Sequence, residues 1–148
     1  MRHLKKAALI AMMFAMPAVW AQNASPVGTW KTIDDETGKP KSIVRITEEN
    51  GVLTGKIEKL FRPADQDQNP KCTACEGARK DQPIIGMTIL WGLKKDGNEY
   101  TGGEILDPAK GKVYKSKATL RDGGQKLEVR GYIGAPMFGR SQTWVREQ

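Results

Sequence analysis

The sequence predicts an all-β protein: about eight short antiparallel strands closing into an up-and-down barrel, after a cleaved N-terminal signal peptide. Three observations carry this. Segments alternating apolar and polar residues recur, as in 126–133, where Leu127, Val129, Gly131 and Ile133 share one face and Lys126, Glu128, Arg130 and Tyr132 the other. Tight-turn signals separate the segments, among them Glu49-Asn50-Gly51, Asp107-Pro108-Ala109-Lys110-Gly111 and Arg121-Asp122-Gly123-Gly124. No stretch beyond residue 21 has the length and 3.6-residue period of an ordinary helix.

The N-terminus is set apart first. Arg2, Lys5 and Lys6 form a basic start, 7–19 is apolar with Pro17 near its end, and Val19-Trp20-Ala21 places small or aliphatic residues where a signal peptidase reads them. The apolar run is too short to span a bilayer as a stable helix. A secretory signal cleaved after Ala21 is expected, with export to the periplasm or the medium. The first cysteine is Cys72, so no lipid-anchor cysteine lies at the cut. Residues 22–148 are expected to form a single domain, large enough for one core.

Charge and composition exclude several classes. The formal charge of +7 falls to +4 when Arg2, Lys5 and Lys6 leave with the signal. The remaining bases are interspersed with acids, as on a solvated surface, so no nucleic-acid partner is expected. The single histidine, His3, also leaves, which removes imidazole from general base, nucleophile-activating or zinc-binding roles. Asp34-Asp35-Glu36 lies in a turn-rich loop, and Glu104 and Asp107 fall on opposite faces of one hairpin, so neither forms a glycosidase-like carboxylate pair. No catalytic residues, no metal site and no cofactor are assigned.

The strands follow in order. The first spans 28–33, a turn-rich loop covers 34–40, and the second strand spans 41–47, with Ser42, Val44 and Ile46 alternating against Ile43, Arg45 and Thr47. Asn50-Gly51 accepts the two positive φ values of a type I′ turn, and the third strand runs 52–61. The pattern breaks at 62–83, which is polar, holds Pro63, Pro70 and Pro83, and carries Cys72-Thr73-Ala74-Cys75; a loop this long is usually functional, disordered or tied down. Regular structure resumes at Ile84; 84–93 is apolar on both faces, so period alone does not separate helix from strand, and a short turn or helix followed by a buried strand from about Met87 is expected, then strands at 99–106, 112–120, 126–133 and 140–146.

Such a sheet must hide its edges, and closure does so directly; a sandwich is the alternative, but hairpin succession without long crossovers favours the barrel. A membrane-spanning barrel is excluded by the charged alternate face, because a charge facing lipid at the midplane costs roughly 2–4 kcal/mol. The domain is therefore not an integral membrane protein once the signal is cleaved.

Gly28-Thr29-Trp30, the Cys72/Cys75 loop, Pro83-Ile84-Ile85-Gly86-Met87, 102–108 with Gly111-Lys112-Val113-Tyr114, and 130–134 through Gly139-Arg140 to Trp144-Val145-Arg146 together resemble the DUF2147 family of small exported bacterial proteins. The resemblance covers essentially the whole chain after the signal. It implies a calycin-like barrel, related in shape to lipocalins, and the binding of an apolar molecule, and it carries over no catalytic residues. Gly28-Thr29-Trp30 is also similar to the G-x-W that opens lipocalins. By that likeness Trp30 closes the barrel floor beneath Arg146, or alternatively Arg140, through a cation–π contact.

In a barrel of this size the interior is either filled by side chains or holds one small ligand. Tyr114, Ser116, Ala118, Val129 and Gly131 are the inward candidates, several of them small; Tyr114 and Glu104 could orient a small apolar or amphipathic ligand, or Glu104 could equally pair with a surface lysine. The rival is a structural or protein-interaction domain with a filled core. Cys72 and Cys75 admit three readings in an oxidising compartment. They form a disulfide that staples the long loop, or a periplasmic thiol–disulfide exchange site, which would sit at a helix N-terminus. The third reading is half of a metal site, with acids such as Asp65, Asp67 or Glu76 as the remaining ligands.

Overall fold

The computed structural model describes residues 25–147; the signal expected over 1–21 lies outside them. Eight strands follow in chain order: β1 Gly28–Ile33, β2 Pro40–Glu49, β3 Val52–Leu60, β4 Thr88–Asp96, β5 Glu99–Asp107, β6 Lys112–Arg121, β7 Lys126–Tyr132 and β8 Gly139–Arg146. Each pairs antiparallel with its sequence neighbours, and β8 returns to β1, so the sheet is a closed up-and-down barrel with no free edge. The closing seam is the shortest: Trp30 opposite Arg146, Lys31 opposite Val145 and Thr32 opposite Trp144.

Local chemistry sets the turns. Asn50 and Gly51 adopt φ of 53° and 79°, the conformation a type I′ hairpin demands. In the 107–111 turn, Asp107 accepts a hydrogen bond from the Ala109 amide at 3.0 Å, and Gly111 takes φ 66°. Strand ends fall within a few residues of the sequence expectation. The largest differences are at β2, which reaches Glu49, and β4, which reaches Asp96.

Alternation then fills the interior. Trp30, Val44, Ile46, Leu53, Leu93 and Leu127 are buried together, each side chain stabilising the fold by about 1.5–3 kcal/mol relative to exposure. Outward positions carry charge and pair across strands, as in Arg45 with Glu58, Lys117 with Glu99 and Arg121 with Glu128. Where β3 meets β4 the register slips, Gly55 lying opposite Leu90 but Lys56 opposite Thr88. The extra residue, Ile89, is buried and reaches the cavity described below.

Up-and-down topology sorts the connections between two ends. The β2–β3, β4–β5 and β6–β7 turns lie at one end with residues 25–27. The 34–39 loop, the long 61–87 connection, the 107–111 turn and the 133–138 loop lie at the other. Among the described residues no helix is long and apolar enough to cross a membrane.

Candidate functional site

The first end is a floor. Trp30 is fully buried, and its indole N–H donates to the Pro26 carbonyl at 2.8 Å. The Arg146 guanidinium lies 4.3 Å from the Trp30 ring centroid. It also donates to the carbonyls of Gly124 at 2.8 Å, Val27 at 2.9 Å and Ser25 at 2.8 Å. Burial pulls the Arg146 pKa below the ordinary arginine value; the ring face and three carbonyl dipoles are what offset that cost. Gly28 makes room: at φ 140°, any Cβ there would stand 2.6 Å from Arg146 Nη1. Arg140, the alternative partner for Trp30, sits at the opposite end. It pairs with Asp35, whose hydrogen bond and charge raise the Arg140 pKa.

The second end opens into a cavity of about 980 Å³ that runs from the rim into the barrel. Ile57, Ile89, Ile105 and Val129 contribute apolar wall, while Thr32, Ser42, Gln142 and the indole of Trp144 contribute polar groups. Thr32 and Ser42 are buried and their hydroxyls lie 2.6 Å apart. Trp144 Nε1 donates to Gln142 Oε1 at 3.2 Å. The rim is charged with both signs, Asp34, Asp35 and Asp107 facing Lys41, Arg62 and Lys110. Two backbone amides, from Glu36 and then Thr37, donate to Asp34 and hold its carboxyl below the usual aspartate range.

Of the residues expected inside, Tyr114, Val129 and Gly131 line this cavity. Ser116 and Ala118 share their face but are buried and do not line it, and the Ser116 hydroxyl has no hydrogen-bond partner among the described residues. Glu104 is not inside. It is exposed, opposite Trp91 on one side and Lys115 on the other, while its neighbour Ile105 takes the inward place opposite Leu90 and Tyr114. The carboxylate stays hydrated on the outer face, where its charge costs least. Thr32, Ser42, Gln142 and Trp144 were not among the expected cavity residues. Their signal was alternation: Thr32 follows Trp30 by two residues, Ser42 precedes Val44 by two, and Gln142 precedes Trp144 by two.

Cys72 and Cys75 form a disulfide, and both residues are buried. The chain after them makes a single 3-10 turn, Gly77–Arg79, and not the helix an exchange site would use. The loop closes on itself: Cys72 N–H donates to Gln82 O at 2.8 Å, Asp81 N–H to Cys72 O at 2.9 Å and Ile84 N–H to Pro70 O at 3.0 Å. It is docked at two places. Arg79 stacks 4.6 Å over Trp91 on β4. Ala74 meets the 107–111 turn so closely that a Cβ on Gly111 would lie 1.9 Å from its carbonyl oxygen. Pro70, Lys71, Thr73 and Ala74 thereby form part of the mouth. Across the opening, the 133–138 loop exposes Ile133, Met137 and Phe138. Arg130 buttresses it through the carbonyls of Pro136 at 2.6 Å and Gly139 at 3.2 Å.

A family model described as "Uncharacterized protein conserved in bacteria (DUF2147)" matches residues 28–146. Among solved structures, the chain is similar to one titled "Protein HP1028 from the human pathogen Helicobacter pylori belongs to the lipocalin family". That match has a TM-score of 0.70 and 21% identity, and covers 84% of each chain. At that identity the likeness is one of fold. No curated protein matches the chain.

Proposed function

The chain belongs to the DUF2147 family of bacterial proteins, and from that premise we propose that it is an exported, non-enzymatic binding protein. Its barrel receives one small apolar or amphipathic molecule through the open end. The observation that carries this reading is the cavity: about 980 Å³ of half-open space from the rim down toward a plugged floor, with several isoleucines in its wall. Such a volume is at the upper end of the range that encloses a drug-sized ligand, and apolar wall with a few placed polar groups is the usual make-up of such sites.

Several features support the rest of the proposal. The leader pattern over 1–21 directs export, and 22–148 is the domain delivered. The Cys72–Cys75 disulfide suits an oxidising compartment such as a periplasm. With His3 removed, no imidazole is left for general base work, and the groups deep in the cavity are hydroxyls, an amide and an indole.

Native mass spectrometry of protein purified from its producing cell, followed by solvent extraction, tests the proposal. A small molecule is expected at one equivalent per chain. The partner experiment is Gly131→Leu, which places a side chain in the cavity where a Cβ would meet Ile105 at an ordinary 3.4 Å. That variant is expected to melt near wild type and lose at least tenfold in affinity for N-phenyl-1-naphthylamine. A barrel consistently empty, with no affinity for that probe, overturns the proposal in favour of a structural domain.

A further inference from the structure

The cavity is two-sided, and its polar side carries one amide whose hydrogen-bonding sense is fixed. Gln142 and Trp144 on β8, Thr32 on β1 and Ser42 on β2 lie on three adjacent strands, with Thr32 directly opposite both Trp144 and Ser42. Ile57, Ile89, Ile105 and Val129 face the same space from β3, β4, β5 and β7. The polar groups of β8, β1 and β2 form a continuous seam, with Tyr114 on β6 a polar residue apart from it.

One group on the seam has a fixed orientation. An indole N–H can only donate, so the 3.2 Å contact from Trp144 Nε1 fixes the Gln142 carbonyl toward Trp144 and turns the amide NH2, with its two N–H groups, away from it. Thr32 and Ser42 share one hydrogen between oxygens 2.6 Å apart, which leaves the other hydroxyl hydrogen to spare; the Ser42 carbonyl lies 3.5 Å from Thr32 Oγ1, at the limit of a bond. The two Gln142 N–H groups thus have no partner among the described residues, while the hydroxyl pair can either donate or accept. Its nearest cations in sequence, Lys41 and Arg140, stand at the rim, and Arg140 is paired with Asp35.

Resting on the ligand-binding reading above, we infer that the ligand is an amphipathic molecule with a neutral carbonyl oxygen, as in a ketone, ester or amide. That oxygen accepts from the Gln142 amide and the Thr32–Ser42 hydroxyl pair while the apolar body lies on the isoleucine wall. A carboxylate would lie in the seam without a counter-cation and lose its hydration, which disfavours it. A plain hydrocarbon would cover the half-buried Gln142 N–H groups without meeting them.

The test is displacement of N-phenyl-1-naphthylamine by 2-dodecanone, by 1-dodecene and by dodecanoate, using the full domain. In a purely apolar cavity the alkene outcompetes the ketone, because the ketone loses its hydration for nothing. The expected result is that the ketone at least matches the alkene and both exceed dodecanoate. Gln142→Glu keeps the side-chain shape and an acceptor for Trp144 but replaces the donor, so it should shift the ketone-to-alkene ratio toward the alkene by about tenfold, one hydrogen bond's worth. Ser42→Ala, a smaller change, should shift it the same way. An alkene preference of tenfold or more in the unaltered protein, or a ratio unmoved by both variants, overturns the acceptor inference while leaving the cavity reading standing. If neither the probe nor any competitor binds, the cavity reading itself falls.

Discussion

Arg146→Ala is the most informative single perturbation, because one side chain joins the last strand, the first strand, the β6–β7 turn and the residues ahead of β1. It removes three charge-assisted hydrogen bonds, to Ser25, Val27 and Gly124, and the contact over the Trp30 ring. These sit at the partly wet end of the barrel, so each is taken at about 1 kcal/mol, below the roughly 1.5–3 kcal/mol of well-buried bonds to charged groups. Carbonyls that regain water return part of the loss. The expected cost is about 3–4 kcal/mol, or roughly 10–15 °C in Tm for a domain of this size. Urea unfolding followed by tryptophan fluorescence reads it well, since Trp30 and Trp144 are both fully buried. Arg146→Lys keeps the charge but loses the planar fork, and should recover about half of the difference. A loss below about 1 kcal/mol for the alanine variant, or a lysine variant equal to wild type, would refute the view that this fork closes the floor.

Three further outcomes follow from the rim. Gly111→Ala must displace the Ala74 carbonyl and occupy φ 66°, so it should cost about 2–4 kcal/mol and make 62–83 sensitive to limited proteolysis; an unchanged digestion pattern would show that the loop is not held there. Replacing both Cys72 and Cys75 by serine should cost about 2 kcal/mol from the four-residue ring but leave the far-ultraviolet circular dichroism intact, since all eight strands pair without that loop; loss of the β signal would contradict this. Asp34 should titrate below the ordinary aspartate value of 3.8. Because its folded pKa is the lower one, its contribution to the 34–39 loop is present above the unfolded value and lost as pH falls through the folded one. An NMR carboxyl titration with a midpoint at or above 3.8 would rule it out.

Much of the barrel is legible in the sequence because its signals are local. Asn50-Gly51 dictates a turn by backbone preference alone, and 126–133 alternates so cleanly that its face toward the core is unambiguous. The site is less legible because it depends on register between strands distant in sequence. Glu104 sits beside a β5–β6 slip between Tyr100 and Gly103, and counting from either end of the strand leaves its side open. Thr32, Ser42 and Gln142 have the right parity, yet a polar residue in a strand ordinarily reads as solvent-facing. Only the meeting of β8, β1 and β2 turns them into one seam along the cavity wall. Likewise the docking of the disulfide loop depends on Gly111, whose turn role hides its second one, leaving space for Ala74.

An even number of up-and-down strands brings the chain in and takes it out at the same end. Ser25 is bound by Arg146, and the Glu147 amide donates to Thr29 O at 2.8 Å, so both limits of the described chain lie beside the Trp30 floor. Anything attached at Ser25 or Glu147, whether a surface, a fluorophore or a fused domain, is therefore held at the pole opposite the entrance. Molecules tethered this way would stand with their mouths turned outward, which makes an oriented monolayer a natural format for measuring uptake.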